Sequence, residues 1–213
     1  MVSIGKHCGR NITALITDMN SPLGYAVGNT LEVCEAIKIL KGERVDRLSE
    51  LCIALASNMI SLALNKDIDA AEQIANEMIT SGKALEKLRE MVISQDGDAS
   101  YIDDESKFEF DDCNHDIVAK GSGFIGEINA LEIGEASVLL GAGRSVKEDE
   151  IDSKAGIILH CKVGDKINKG ERIMTLYAAD ESKIDTAKEI AESAVKIVLK
   201  QPSKTSIILN QIS

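Results

Sequence analysis

Residues 13–35 read TALITDMNSPLGYAVGNTLEVCE, and the organisation of the whole chain turns on them. Ala14, Leu15 and Ile16 form an apolar run with the character of an inner parallel strand, which needs neighbours on both sides. It lies close to the start of the sequence. Either the rest of its sheet comes from downstream, or the chain begins in the middle of a larger domain. Asp18 and Asn20 suit a tight turn, and Pro22 stops the strand from continuing. Gly24 and Gly28 permit close backbone approaches that a side chain would block. Asn29 has the position of an N-cap, with Glu32 three residues on as its capping-box partner. Val33, Ile37 and Leu40 then give a helix one apolar face, which Gly42 ends. A glycine-bearing loop entering a helix can bind an anion. This loop carries neither GxGxxG nor GxxxxGK[ST], so the spacing favours a structural turn here.

The same stretch resembles the ALITDM-x-x-PLG-x-AVGN-x-LEV-x-E segment of pyrimidine-nucleoside and thymidine phosphorylases. Four further blocks follow that family in order: LSELCIAL (Leu48–Leu55), SGKALEKL (Ser81–Leu88), IGEASVLLGAGRSVKED (Ile133–Asp149) and GIILHCKVGDKINKG (Gly156–Gly170). The resemblance covers nearly the whole chain, but only the C-terminal half of such an enzyme. It implies the reaction nucleoside plus phosphate to free base plus pentose 1-phosphate, which requires a held phosphate, an oriented sugar and stabilised charge on the departing base. In the family the groups for those tasks lie upstream of the ALITDM strand. The resemblance therefore implies no catalytic and no substrate-binding residue here. It does imply part of a potassium site, through the carbonyls of Leu23 and Ala26 and the carboxylate of Glu35. Oxygen donors of this kind suit a hard cation. The alternative for Glu35 is a solvent-facing helix residue. The family is homodimeric, with dimer contacts largely in the helical domain missing here.

Composition narrows the classes. The formal charge of −11 argues against nucleic acid or an anionic membrane as partner. No apolar run reads as a membrane span, and MVSIGKHCGRN lacks a signal-peptide core, so a cytoplasmic protein is expected. Aromatic residues are scarce, at 3%, so cores must be built from aliphatic side chains. Five cysteines at Cys8, Cys34, Cys52, Cys113 and Cys161 include no CxxC pair, and Cys34 and Cys52 are expected to pack as small hydrophobes. His7 with Cys8, and Cys113 with His115, are too isolated for a zinc site. His160, between Leu159 and Cys161, reads as structural.

Leu48, Leu51, Cys52, Leu55, Met59 and Leu62 mark one helical stripe. Asp69 and Glu72 open a second helix burying Ile74, Ala75, Met78 and Ile79, and Leu85, Leu88, Met91 and Val92 mark a third. Residues 95–114 are polar and acidic; the pairs Asp103-Asp104 and Asp111-Asp112 lack EF-hand spacing and read as a solvated linker. Beyond it the period shortens. Ile117–Ala119, Phe124–Ala130, Gly156–Val163 and Glu171–Ala178 read as strands, with Gly164-Asp165 as a hairpin turn. Leu131–Leu140 is a helix ending at Gly141-Ala142-Gly143, and residues 180–199 read as a final amphipathic helix. Arg144 could face a phosphate, or sit exposed beside Glu148 and Asp149. The segment 156–178 also resembles half of a biotinyl or lipoyl carrier domain, although Lys166 lies in the VGDKI turn and not at a carrier tip.

The expected fold is α/β. Residues 1–100 would be the helical remainder of a phosphorylase α/β domain and 101–115 a linker. Residues 116–213 would form an α+β hammerhead-like (barrel-sandwich) domain. The expected function is the C-terminal half of a pyrimidine-nucleoside phosphorylase, inactive alone. The phosphate and nucleoside would be partners of the full-length enzyme. The alternatives are a non-catalytic structural or interaction module, or a degenerate fragment needing a separate N-terminal half, and, behind them, a biotinyl or lipoyl-type carrier.

Overall fold

Short-range sequence signals set most of the elements in the computed structural model, which describes residues 1–212. Along the chain run α1 (Val2–His7), β1 (Ala14–Thr17), β2 (Ala26–Val27), α2 (Asn29–Leu40), α3 (Asp46–Leu64), α4 (Ile68–Thr80), α5 (Lys83–Ser94) and α6 (Ser100–Asp103). There follow β3 (Cys113–Val118), β4 (Gly123–Ile128), α7 (Ala130–Leu140), β5 (Gly156–Leu159), β6 (Lys166–Ile167), β7 (Arg172–Ala178), α8 (Glu181–Ser193), β8 (Val195–Val198) and β9 (Ile208–Ile212). They divide into two units, each discontinuous in sequence. One comprises Met1–Asp18, Ile37–Ala99 and the chain from Thr205; the other comprises Met19–Ala36 and Ser100–Lys204. Residues 19–36 thus group with the later strands and not with the N-terminal helices. The cause is β2, which pairs antiparallel with β5, Ala26 opposite Ile158 and Val27 opposite Ile157.

In the first unit α3 packs along α4. Asp67, two residues before the expected Asp69, caps α4 by accepting from the Ala70 N–H at 2.9 Å. Ala71 and Ala75 are its buried residues. The α3 stripe behaves differently from expectation: Leu55, Met59 and Leu62 are 45%, 70% and 43% exposed. Cys52 is exposed as well. Helical periodicity identifies an apolar face but does not supply its cover. By length and composition α3 is also apolar enough to cross a membrane, contrary to the expectation that no run reads as a span. The Asp46, Arg47 and Glu50 charges all fall in its first five residues.

β1 pairs antiparallel with β9, from Ala14 opposite Ile212 to Thr17 opposite Ile208, in a two-stranded sheet. The inner parallel strand expected from Ala14–Ile16 is thereby corrected. Three apolar residues fix extended backbone, not the direction of a partner, and Ile16 is 45% exposed. Just beyond β1, the Asp18 carboxylate meets the Arg47 guanidinium at 2.6 Å, with both side chains largely buried.

The second unit has a four-stranded antiparallel sheet, order β2-β5-β7-β3, and a three-stranded sheet, order β6-β4-β8. One core joins them. Ile125, Ile157, Ile167, Met174 and Leu176 from the strands pack with Ile133, Ala136 and Leu140 of α7 and with Ile184, Ala187 and Ala191 of α8. Asn129 caps α7 through the Leu131 and Glu132 N–H groups, and Gly141 closes it in the left-handed region.

Three expectations are revised here. The helix read over 180–199 ends at Ser193, and Val195–Val198 forms β8 against β4. The β-branched Val195, Ile197 and Val198 prefer the pleated surface to a helix. The turn at Gly164-Asp165 leads first into β6, which pairs with β4, before the chain returns as β7 beside β5. The acidic stretch before β3 is not featureless: α6 and a single 3-10 turn at Glu105–Lys107 occupy it, and Ile102 is buried.

Candidate functional site

The loop between β1 and α2 is built by a cap, two glycines and a lysine. The helix starts one residue earlier in its capping than the sequence suggests. Glu32 accepts from the Gly28 N–H at 3.0 Å, so Gly28 has the cap position and Asn29 lies inside the helix. The Asn29 side chain donates instead to the Ala142 carbonyl at 3.1 Å. This arrangement also decides against an anion at this terminus. The Gly28 N–H faces the Glu32 carboxylate, and the Thr30 N–H donates to the Ser153 carbonyl at 3.1 Å. A phosphate would meet a carboxylate where it needs amides.

Gly28 and Gly156 let β2 and β5 approach. A Cβ on Gly28 would lie 2.6 Å from the Ala155 carbonyl oxygen, and one on Gly156 would lie 2.3 Å from that of Val27. Gly24 answers a different need: a Cβ there would fall 1.9 Å from Glu35 Oε2. The other oxygen of Glu35 accepts from the Tyr25 N–H at 2.7 Å. Glu35 is therefore a half-buried brace for the loop and not a solvent-facing helix residue.

Of the other two expected donors, Ala26 lies in β2 opposite Ile158. The Leu159 N–H donates to the Tyr25 carbonyl at 2.7 Å. By antiparallel alternation, the Ala26 carbonyl then points away from β5. The Leu23 carbonyl has a partner already. Lys162 Nζ donates to the carbonyls of Pro22 at 3.1 Å, Leu23 at 3.2 Å and Gly24 at closer range. The same ammonium stands 4.5 Å from the centroid of the Tyr25 ring, a cation–π distance. The structure thus brings Leu23, Ala26 and Glu35 to one loop, but they do not fit potassium as a free three-donor set, because a cation of the chain's own holds the Leu23 oxygen.

The β4-to-β8 region of the same unit matches a family model described as the pyrimidine nucleoside phosphorylase C-terminal domain, over residues 124–198. The pyrimidine-nucleoside phosphorylase of Bacillus subtilis is 50% identical over 183 residues, covering 85% of this chain and 42% of that protein. Those of Staphylococcus haemolyticus and Geobacillus stearothermophilus are 41% and 39% identical, each covering 100% of this chain and 48% and 49% of theirs. The chain belongs to the pyrimidine-nucleoside phosphorylase family. It spans about half the length of the relatives it matches.

For a pyrimidine-nucleoside phosphorylase domain, Lys162 is the residue the sequence reading missed. It lies 138 to 140 positions from the carbonyls it meets, and nothing local to CKVGD signals the contact. The other candidates resolve more simply. His160 Nε2 is 2.8 Å from Thr175 Oγ1, which donates to Asp116 at 2.6 Å. Because the Thr175 hydroxyl proton goes to Asp116, the ring nitrogen must be the donor to Thr175. Burial and the nearby Arg172 hold the imidazole below its ordinary pKa, against the pull of Asp116. This chain of contacts orients side chains across β3 and β7 and offers no activated nucleophile.

Burial pushes the Cys161 thiol up to about 11, and Cys34 is buried as expected. No group of three or more His, Cys, Asp or Glu side chains suited to a metal occurs among the described residues. Asp149 accepts from the Ser145 and Val146 N–H groups, fixing the turn beyond Arg144. Lys166 lies in β6, paired with Phe124.

Proposed function

We propose that this chain is the C-terminal part of a pyrimidine-nucleoside phosphorylase and contributes to phosphorolysis only when joined by an N-terminal half. The observation that carries the reading is the match of the whole chain, at 39–41% identity, to 48–49% of two such enzymes. The assembled protein would convert a pyrimidine nucleoside and phosphate into free base and pentose 1-phosphate. This chain would supply the wall formed by loop 22–26 and the second unit, while the upstream half would bring the groups that touch phosphate and base. By itself the chain would bind neither productively. The second unit, with two antiparallel sheets and two helices around one core, is what a hammerhead-like barrel-sandwich would require. Five free thiols suit a cytoplasmic, reducing setting, and a homodimer belongs to the same proposal.

The potassium ion enters this proposal in a restricted form. Ala26 and Glu35 are the donors this chain leaves open to it, and Leu23 is shared with Lys162.

The interaction-module alternative draws on the first unit. The stripe Leu55, Met59, Leu62 is exposed, and among the described residues β1 has one hydrogen-bonded neighbour, β9. Apolar helix faces and open strand edges of this kind are surfaces for another polypeptide. Both readings are separated by one experiment. The purified chain is assayed for uridine phosphorolysis alone, then after mixing with a separately produced N-terminal half of the B. subtilis enzyme. Product only on mixing is expected. Product from the chain alone removes the proposal, and a complex that forms without any product favours the interaction module.

A further inference from the structure

The Lys162 contact is a cation cage built from backbone oxygens. Pro22, Leu23 and Gly24 turn consecutive carbonyls onto one ammonium, and the Tyr25 ring lies against it. Both ends of the contact are anchored. Asp165 accepts from the Lys162 backbone N–H at 2.8 Å, and Glu35 holds the loop at the Tyr25 N–H. An ammonium and a potassium ion are similar in size and both favour several neutral oxygen donors. The anionic Glu35 carboxylate beside Gly24 adds to the site's preference for positive charge.

We propose that Lys162 is the resident cation of this loop and competes directly with a free monovalent cation for the Leu23 oxygen. The inference rests on the reading of Leu23, Ala26 and Glu35 as cation donors. With the lysine seated, loop 22–26 is ordered without added potassium. Potassium gains the full donor set only when the lysine side chain withdraws. The apparent affinity is then reduced by the fraction of time the cage is open. Lys162 is accordingly a positioning residue that sets the loop's cation requirement.

The test uses the whole chain and two readouts besides activity. Binding of thallium(I), a potassium substitute, is measured by equilibrium dialysis. Thermal unfolding is compared in potassium chloride and choline chloride at equal ionic strength. The proteins are the wild type, Lys162→Met, Lys162→Gln and the double variant Lys162→Met/Glu35→Gln, with folding checked by circular dichroism. The expected result is that both lysine variants bind thallium at least about tenfold more tightly than the wild type, the ratio for a cage closed about nine-tenths of the time. They should also regain thermal stability selectively in potassium, and the double variant should lose both effects. Equal binding by wild type and lysine variants overturns the competition while leaving the cation site standing. Absence of binding in every folded variant overturns both.

Discussion

Replacing Gly28 by alanine tests the geometry on which the loop depends. Gly28 has φ +133°, a conformation L side chains rarely adopt, and an added Cβ would stand 2.6 Å from the Ala155 oxygen and 2.9 Å from Gly156 Cα. Both neighbours are backbone, so neither can rotate away. Backbone strain in such a region costs about 1–3 kcal/mol, and overpacking against fixed atoms about another 1–3 kcal/mol. The expected loss is therefore about 2–6 kcal/mol, a large share of the roughly 5–15 kcal/mol that stabilises a typical domain. Gly170→Ala is the control within the same unit. Its φ is +88°, yet nothing lies within 4 Å of the added methyl. Only the conformational cost of about 1–2 kcal/mol applies there. Urea unfolding followed by circular dichroism reads both. With a slope of about 2 kcal/mol per molar, Gly28→Ala should lower the midpoint by about 1–3 M and Gly170→Ala by less than about 1 M. Equal shifts for the two would mean that β2 does not press on β5, and the argument for a preformed carbonyl loop would fail with it.

Burial, with Asp152 nearby, holds the Asp111 carboxyl above its ordinary range, so the folded state prefers it protonated. Its stabilising contribution is complete below the unfolded value of 3.8 and is lost as pH rises through the folded value; Asp111→Asn should therefore melt higher than the parent at neutral pH, with the gap closing in acid. A disulfide reagent should label the exposed Cys8 and Cys52 in the native state and reach Cys34 and Cys161 only on unfolding, because the latter two are buried and burial pushes the Cys161 thiol up to about 11; native-state labelling of Cys161 at the rate of Cys8 would contradict the packing of the second unit. Asp18→Asn strips the charge from the bridge to Arg47, and should cost about 2–4 kcal/mol in chemical denaturation; a change below about 0.5 kcal/mol would class the pair with ordinary surface bridges.

Where structure follows from neighbours a few positions away, the sequence was readable. Asn129 and Gly141 bracket α7 as their types suggest, and Gly24 and Gly28 stand where a side chain would collide. Errors concentrate where the deciding partner is distant. Ala14–Ile16 reads as an inner parallel strand because it is apolar, while its antiparallel partner lies nearly two hundred residues away at Ile208–Ile212. Residues 195–198 extend the helical pattern of α8 but are claimed by β4, a pairing that no local window contains. Glu32 does accept at the start of α2, but from the Gly28 N–H, and Asn29, which reads as the cap, lies inside the helix. The Ala142 carbonyl gives the Asn29 amide a better partner than its own helix.

Loop 22–26 shows the same limit at the level of chemistry. The family resemblance points to Leu23, Ala26 and Glu35 as oxygen donors, and the structure does gather them. What a donor inventory omits is that an oxygen can already have a cation. Lys162 is charged, flexible and linked to the loop by a fold that brings β5 alongside β2. Three carbonyls aimed in one direction have their dipoles set against one another, so the loop is stable only with positive charge in front of it. A lysine on the neighbouring strand's extension meets that requirement at every potassium concentration. A free ion meets it only when abundant. Between otherwise similar loops, the presence or absence of this one amine would then decide whether the loop is ordered from the outset or only once an alkali ion arrives.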